Sequence, residues 1–275
     1  MTMKTSPQCA LLVLLTLATT VATAQSIGLA PAQIVTDFKP GAAFEQELSV
    51  ANNGGEAVEL HVQITDFWYN DKNEKIFGAP GTSPRSAANW IQFVPEKFTV
   101  PAGKSQKMKA IITPPADARG GYYAVLFVES KPVITNKQTE DGKRVFANMR
   151  IGCLALLQAK GSEAYNVSVN DLKLVPPGTS QALTLSFQLD NESNTHVFPQ
   201  ARLAILTPDH KLIAKSESEL KRFLPGQKDS MKVEWNGDLN PGDYTAVLSV
   251  VYGGTHVETR QIAFTVPART ASSGK

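Results

Sequence analysis

The chain is written as short runs in which apolar and polar residues alternate. "FEQELSVAN" begins at Phe44, "VELHVQITDF" at Val58, "KMKAIIT" at Lys107, "YYAVLFVES" at Tyr122, "LTLSFQLDN" at Leu183, "ARLAILT" at Ala201 and "TAVLSVVY" at Thr245. A period of two puts successive side chains on opposite faces of a strand, one face on a core and the other in water. Between the runs stand "NNGGE", "VPAGKS", "TPPADARGG", "LVPPGTS", "LTPDHK" and "NPGD", residues that set turn dihedrals or remove a ladder donor. Helical periodicity is confined to one short turn, expected near residues 216–220. The pattern predicts an all-β chain.

The same grammar is written twice. "GGYYAVL" at residues 120–126 returns as "GDYTAVL" at 242–248, and "PAGKSQKMKA" upstream of the first is answered by "LPGQKDSMKV" upstream of the second. Gly103 and Gly226 each precede a methionine, Met108 and Met231, by five residues; Tyr122 and Tyr244 follow 14 and 13 residues later. A repeat at this spacing implies tandem copies of one module. Strands of this number and length predict two immunoglobulin-like β-sandwiches, at 25–160 and 161–268. Each tyrosine is read as a corner residue that hydrogen-bonds back across its turn, with the glycine two before it relieving the bend. From Asn52 to Gly103 is 51 residues, but from Asn191 to Gly226 only 35. The first copy therefore carries about 16 extra residues, around "YNDKNEKIFGAPGTSPRSAANW".

The N-terminus modifies this picture. One basic residue (Lys4), an apolar run from Ala10 to Ala18 and Ala22-Thr23-Ala24 have the form of a secretory signal peptide, residues 1–24. The run is too short to span a bilayer, and no membrane insertion is expected. Removing it takes Cys9 away and leaves Cys153 unpaired, so the exported sandwiches must hold together without a disulfide. The tail at 269–275 lacks apolar anchors and is expected to be disordered.

Charge excludes several partners. The formal net charge is +2 with acidic and basic residues interspersed, so nothing resembles a nucleic-acid surface. His61, His196, His210 and His256 lack a second ligand at metal spacing; no nucleophile elbow, phosphate loop or dinucleotide fingerprint occurs. No cofactor, no metal and no enzymatic activity are expected. Asp66, Asp71, Glu74, Asn70 and Asn73 in "DFWYNDKNE" lack the ladder spacing of a calcium loop and read as a hairpin turn. Asn166 and Asn191 fit a glycosylation pattern.

One segment invites a functional reading. Val145, Ala147, Met149, Ile151 and Cys153 alternate along a single long strand that follows a polar loop, "ESKPVITNKQTEDGKR". Their face either closes the first sandwich, with Cys153 as a small core residue, or offers an edge to which another protein's strand is added.

The order of "LAPAQIVTDF", "ELSVANNGGEAVELHVQITDF", "NEKIFGAPG" and "FVPEKFTVPAGKSQKMKAI" resembles the periplasmic pilus-assembly chaperones of the PapD-like superfamily, over about half the mature chain. The resemblance implies two immunoglobulin-like domains in an L. It also implies donation of the last first-domain strand, here residues 145–157, to an incomplete sandwich in an exported subunit. Two basic residues of the cleft then hold the subunit's C-terminal carboxylate. Arg150 is one candidate anchor; the other position falls on Gln33, where the family has arginine. A periplasmic chaperone of pilus or envelope subunits is the leading expectation. The alternative is an envelope module that binds cell-wall glycan or a surface protein through Trp68, Tyr69 and Trp90.

Overall fold

The computed structural model describes residues 26–138, 141–142, 144–178 and 181–268. The signal peptide and the C-terminal tail read from the sequence lie outside them. The first twelve strands are β1 (Ile27–Ala30), β2 (Gln33–Phe38), β3 (Phe44–Asn52), β4 (Val58–Tyr69), β5 (Lys75–Gly78), β6 (Ile91–Val94), β7 (Lys97–Val100), β8 (Ser105–Ile112), β9 (Gly120–Ser130), β10 (Val133–Gln138), β11 (Arg144–Ala147) and β12 (Arg150–Ala159). The remainder are β13 (Val167–Val175), β14 (Leu183–Asn191), β15 (Gln200–Leu206), β16 (Leu212–Glu217), β17 (Lys228–Trp235), β18 (Gly242–Tyr252) and β19 (His256–Val266). Among the described residues the one helical element is a 3-10 turn, Ala88–Trp90. Of the turn expected at 216–220, Ser216 and Glu217 instead end β16, paired with Leu203 and Arg202 of β15, and residues 218–220 have no regular structure.

These strands make two sandwiches. In the first, a sheet ordered β1-β3-β8-β6 faces one ordered β2-β12-β9-β4-β5, with β7 also on β4. In the second, β13-β14-β17 faces β16-β15-β18-β19. Each encloses its own core: Leu48, Val50, Leu60, Met108, Ile112, Leu126 and Leu157 in the first, Leu183, Leu185, Leu189, Leu203, Phe223 and Leu248 in the second. The alternation that marked the strands is what separates these side chains from the solvated ones on the same strands.

The sequence repeat is a repeat of hydrogen bonds. Asn52 Nδ2 donates to the carbonyls of Glu56 and Val100, and its Oδ1 accepts from Gly54 N. Asn191 Nδ2 donates to the carbonyls of Thr195 and Phe223, and its Oδ1 accepts from Ser193 N. Both asparagines are 1% exposed, so the sequon at Asn191 is closed to a glycan. Met108 and Met231 are buried in corresponding cores. The tyrosines diverge. Tyr244 donates back to Asn240 O at 2.9 Å, as a corner residue does, whereas the Tyr122 hydroxyl accepts from Arg119 N at 3.3 Å and its ring packs on Trp90 and Phe38.

Two expectations change around β12. The polar loop is largely a hairpin, β10 on β11. The long strand expected through 145–157 is broken at Asn148 and Met149. Glu129 pairs with Arg150, but Val133 pairs with Ala147, so three residues on one side oppose two on the other. Pro132 sits in that bulge, where it has no N–H to give a ladder.

Replacing Asn52 or Asn191 with Ala removes three bonds from a buried loop. Each substitution is expected to lower stability by about 1–3 kcal/mol, measured by equilibrium denaturant unfolding; an unchanged midpoint contradicts the shared role.

Candidate functional site

The outer face of the β2-β12-β9-β4-β5 sheet runs from the domain junction to open solvent. At the junction Gly121 N donates to Asn194 O at 2.9 Å, and Thr195 Oγ1 donates to Gln158 Oε1 at 2.7 Å. A Cβ on Gly120, whose φ is +72°, would lie 2.3 Å from Asn194 O. Only glycine permits that approach, so the first copy of the repeated heptad opens with a domain contact. On the β4 side Gln227 Nε2 donates to Asn73 Oδ1 at 2.7 Å. Between them lies a small apolar cluster, Phe67, Tyr123, Val125 and Leu156 from the first domain with Leu224 from the second. Tyr69, Phe127, Leu154 and Phe198 pack half-buried around it.

Farther out the sheet has an open edge. Leu154 to Ala159 of β12 lie beside Gln33 to Phe38 of β2, in parallel. Among the described residues no strand flanks that side of residues 150–153. Ser130 N donates to Met149 O, while Leu154 N donates to Ala32 O. Amides of alternate residues point to opposite sides, so Met149, Ile151 and Cys153 direct theirs to β9. Arg150 and Gly152 direct theirs to the open side.

The side chains of this edge are less uniform than the sequence implied. Cys153 is fully buried in the first core, and burial pushes its thiol up to about 11. It is a core residue, turned away from any partner. Met149 and Ile151 lie half-buried at the rim of that core. Val145 and Ala147 belong to β11, beyond the bulge. Arg150 crosses the outer face: its guanidinium carbon stands 3.5 Å from the Phe127 ring centroid, and its Nε lies 2.6 Å from Glu129 Oε1. Glu129 also meets His61 Nε2 at 3.4 Å.

The two anchors expected in the cleft are not adjacent. Gln33 sits beside Leu154, four residues along β12 from Arg150, a separation of about 13 Å at strand rise. The cation that stands by Gln33 is Arg222, from the second domain. It donates from Nη1 to Gln33 Oε1 and from Nη2 to Tyr69 Oη, both at 3.3 Å. Its Nε is buried without an acceptor, and among the described residues no carboxylate pairs with it. A guanidinium held only by neutral groups retains most of its capacity to bind an anion. Sequence reasoning missed Arg222. Its one signal is the basic pair Lys221-Arg222 before the Leu-Pro-Gly turn of the second copy, which a solvated surface explains equally well.

Beneath Arg222 lies His196, 6% exposed, with Nδ1 unpartnered. Burial first and the Arg222 charge second lower its pKa to about 4. It is edge-on to Tyr123 and Phe198 and serves the junction as a neutral ring. The three aromatics of the glycan reading are dispersed. Trp90 packs against Phe38 and Tyr122 at the first core, while Trp68 and Tyr69 line a cavity at the junction. Among the described residues no group of three or more His, Cys, Asp or Glu is placed to hold a metal.

The chain is thus two immunoglobulin-like β-sandwiches in tandem, joined at a packed junction. No protein-family profile matches the chain, and no curated protein is detectably similar in sequence. Solved structures with a similar fold include a chaperone–tip adhesin complex of CFA/I fimbriae (14% identity, 88% of this chain and 100% of that chain, TM-score 0.46). Others are the E. coli chaperone DraB (10%, 88% and 98%, TM-score 0.41) and the Salmonella enterica SafA pilin–SafB chaperone complex (10%, 88% and 96%, TM-score 0.40).

His196 makes the junction sensitive to acid. Its folded pKa lies below the unfolded value of about 6.5, so the unfolded chain binds the extra proton, and stability falls as pH drops from about 6.5 towards 4. The loss is expected to be no more than about 3 kcal/mol, from the pKa difference. Unfolding midpoints measured across that window are expected to flatten in His196→Gln; an equal pH slope in both proteins contradicts the assignment.

Proposed function

We propose that the mature chain is an exported, non-enzymatic protein that binds other proteins in the periplasm, a chaperone of pilus or other envelope subunits that works by strand addition. The observation that carries this reading is the open edge of β12 beside the cleft. Arg150 and Gly152 direct backbone donors and acceptors outward, where an added strand would satisfy them. The motif order that resembles the PapD-like chaperones supports the same reading.

In this mechanism the partner's strand pairs along residues 150–153 and continues beside β11. Val145, Ala147, Met149 and Ile151 are the positions assigned to the partner's groove; Cys153 is withdrawn, since its side chain fills the first core. The partner's terminal carboxylate is assigned to Arg222, assisted by Gln33 and Tyr69, with the charge that the family takes from its first strand supplied by the second domain. A charged pair of this kind, partly withdrawn from water, contributes more than it would in open water. Arg150, already held by Glu129, stays on the outer floor.

Partners are identified by crosslinking capture from the native envelope fraction, and their affinity is then compared between Arg150→Pro and Arg150→Ala. Both lose the side chain, but only the proline loses the outward N–H. Binding is expected to be weaker by about tenfold in Arg150→Pro alone, and equal affinities in two folded variants would sink strand addition at this edge. Arg222→Gln is expected to weaken a partner with a free C-terminus and leave one with an amidated C-terminus unchanged. Equal loss for both removes the carboxylate from the cleft.

A further inference from the structure

A second recess lies across the sheet from the open edge, where β4 meets the segment that makes the first domain longer than the second. It holds about 480 Å³ and is lined by Trp68, Tyr69 and Tyr123, by the loop from Thr82 to Arg85, and by Leu224, Pro225 and Gln227 of the second domain. That volume falls within the range of small-molecule sites, which run from about 300 to 1,000 Å³.

Its walls are flat and its charge is single. The Trp68 ring lies over Gly78, where a Cβ would come within 2.8 Å of it, so the indole has a fixed seat. Tyr123 stands edge-on to Phe67 and is 3% exposed, with its hydroxyl turned to Gly121 and Thr195 at the domain junction. Arg85 is the one charged residue of the lining. It donates from Nη1 to the Gly121 carbonyl at 3.2 Å, and among the described residues no carboxylate pairs with it. The nearby Asp66 carboxylate, fully buried, is turned into the loop and taken by Ser83 N and Ser86 Oγ. That clamp fixes the loop carrying Arg85 against β4.

We propose that this recess binds a small flat aromatic monoanion, an aryl carboxylate, with the ring against the aromatic residues of the lining and the carboxylate on Arg85. Aromatic walls favour a planar ring in offset or edge contact, and a guanidinium fork matches a carboxylate in bidentate geometry. One guanidinium offsets one negative charge; a dianionic phosphate would leave charge uncompensated in a partly desolvated site. Both domains contribute to the walls, so an occupant also ties the second domain to the first. This site shares Tyr69 with the Arg222 cleft but lies apart from residues 150–153 of the β12 edge, and it does not depend on the chaperone reading.

The test is a titration of the mature chain with naphthalene-2-carboxylate, and with the neutral naphthalene-2-carboxamide, followed by tryptophan fluorescence and calorimetry. The acid is expected to bind saturably and about tenfold more tightly than the amide. Arg85→Gln should abolish that preference, and Thr82→Tyr, which fills the mouth without touching Arg85, should abolish binding of both. Thermal melts establish that each variant is folded; if Arg85→Gln is not, Thr82→Tyr decides alone. Equal binding of acid and amide, a preference that survives Arg85→Gln, binding that survives Thr82→Tyr, or no saturable signal each overturns the proposal.

Discussion

The arrangement turns on one interruption in the first strand. β1 pairs with β3 in one sheet, and two residues later β2 pairs with β12 in the other. Pro31 stands at the crossing, without an N–H to continue a ladder. The switch closes both sheets of the first sandwich with a single segment. Because β2 begins only at Gln33, it covers β12 from Leu154 onward and leaves residues 150–153 with backbone groups facing outward. Full pairing would have removed the edge, and with it the feature on which the functional reading rests.

The second domain is placed so that it bears on that edge. Asn194 and Thr195 approach so closely that Gly120 and Gly121 have no room for side chains. From this fixed point the strand pair β15 and β18 leads away, while Arg222 and Leu224 return to the outer sheet of the first domain and Phe223 between them fills the second core. Leu224 is buried in the junction cluster, worth roughly 1.5–3 kcal/mol on area grounds. Its burial holds Arg222 over Gln33 and Tyr69. An apolar anchor thus positions a charge, and the low-polarity surroundings that make the charge useful also keep His196 neutral.

The inserted segment of the first domain has a separate consequence. It is secured from below by Asp66, whose buried carboxylate is satisfied by Ser83 and Ser86. A loop so anchored holds Arg85 and the rim of a recess in place, whereas an unanchored surface loop would carry ordering entropy into any binding event. The 16 or so additional residues therefore build structure at the junction, on the β4 side, while the open edge lies on the β12 side.

What the sequence determined by itself was whatever depends on near neighbours in the chain. Alternation located the strands; Gly103 and Gly226, Met108 and Met231, Asn52 and Asn191 marked the repeat, since each satisfies a local turn or a core position common to any such sandwich. It also identified the segment around Ile151 as the one to examine. Tertiary structure decided the remainder. Cys153 belongs to the core because the bulge at Pro132 and the pairing with β9 set which face turns inward, and a one-residue change of register reverses that choice. Arg150 is drawn to Glu129 and Phe127, partners distant in sequence. Arg222 lies 189 residues from Gln33, and only the angle between two folded domains brings a guanidinium to a position where no periodicity or spacing could have placed it.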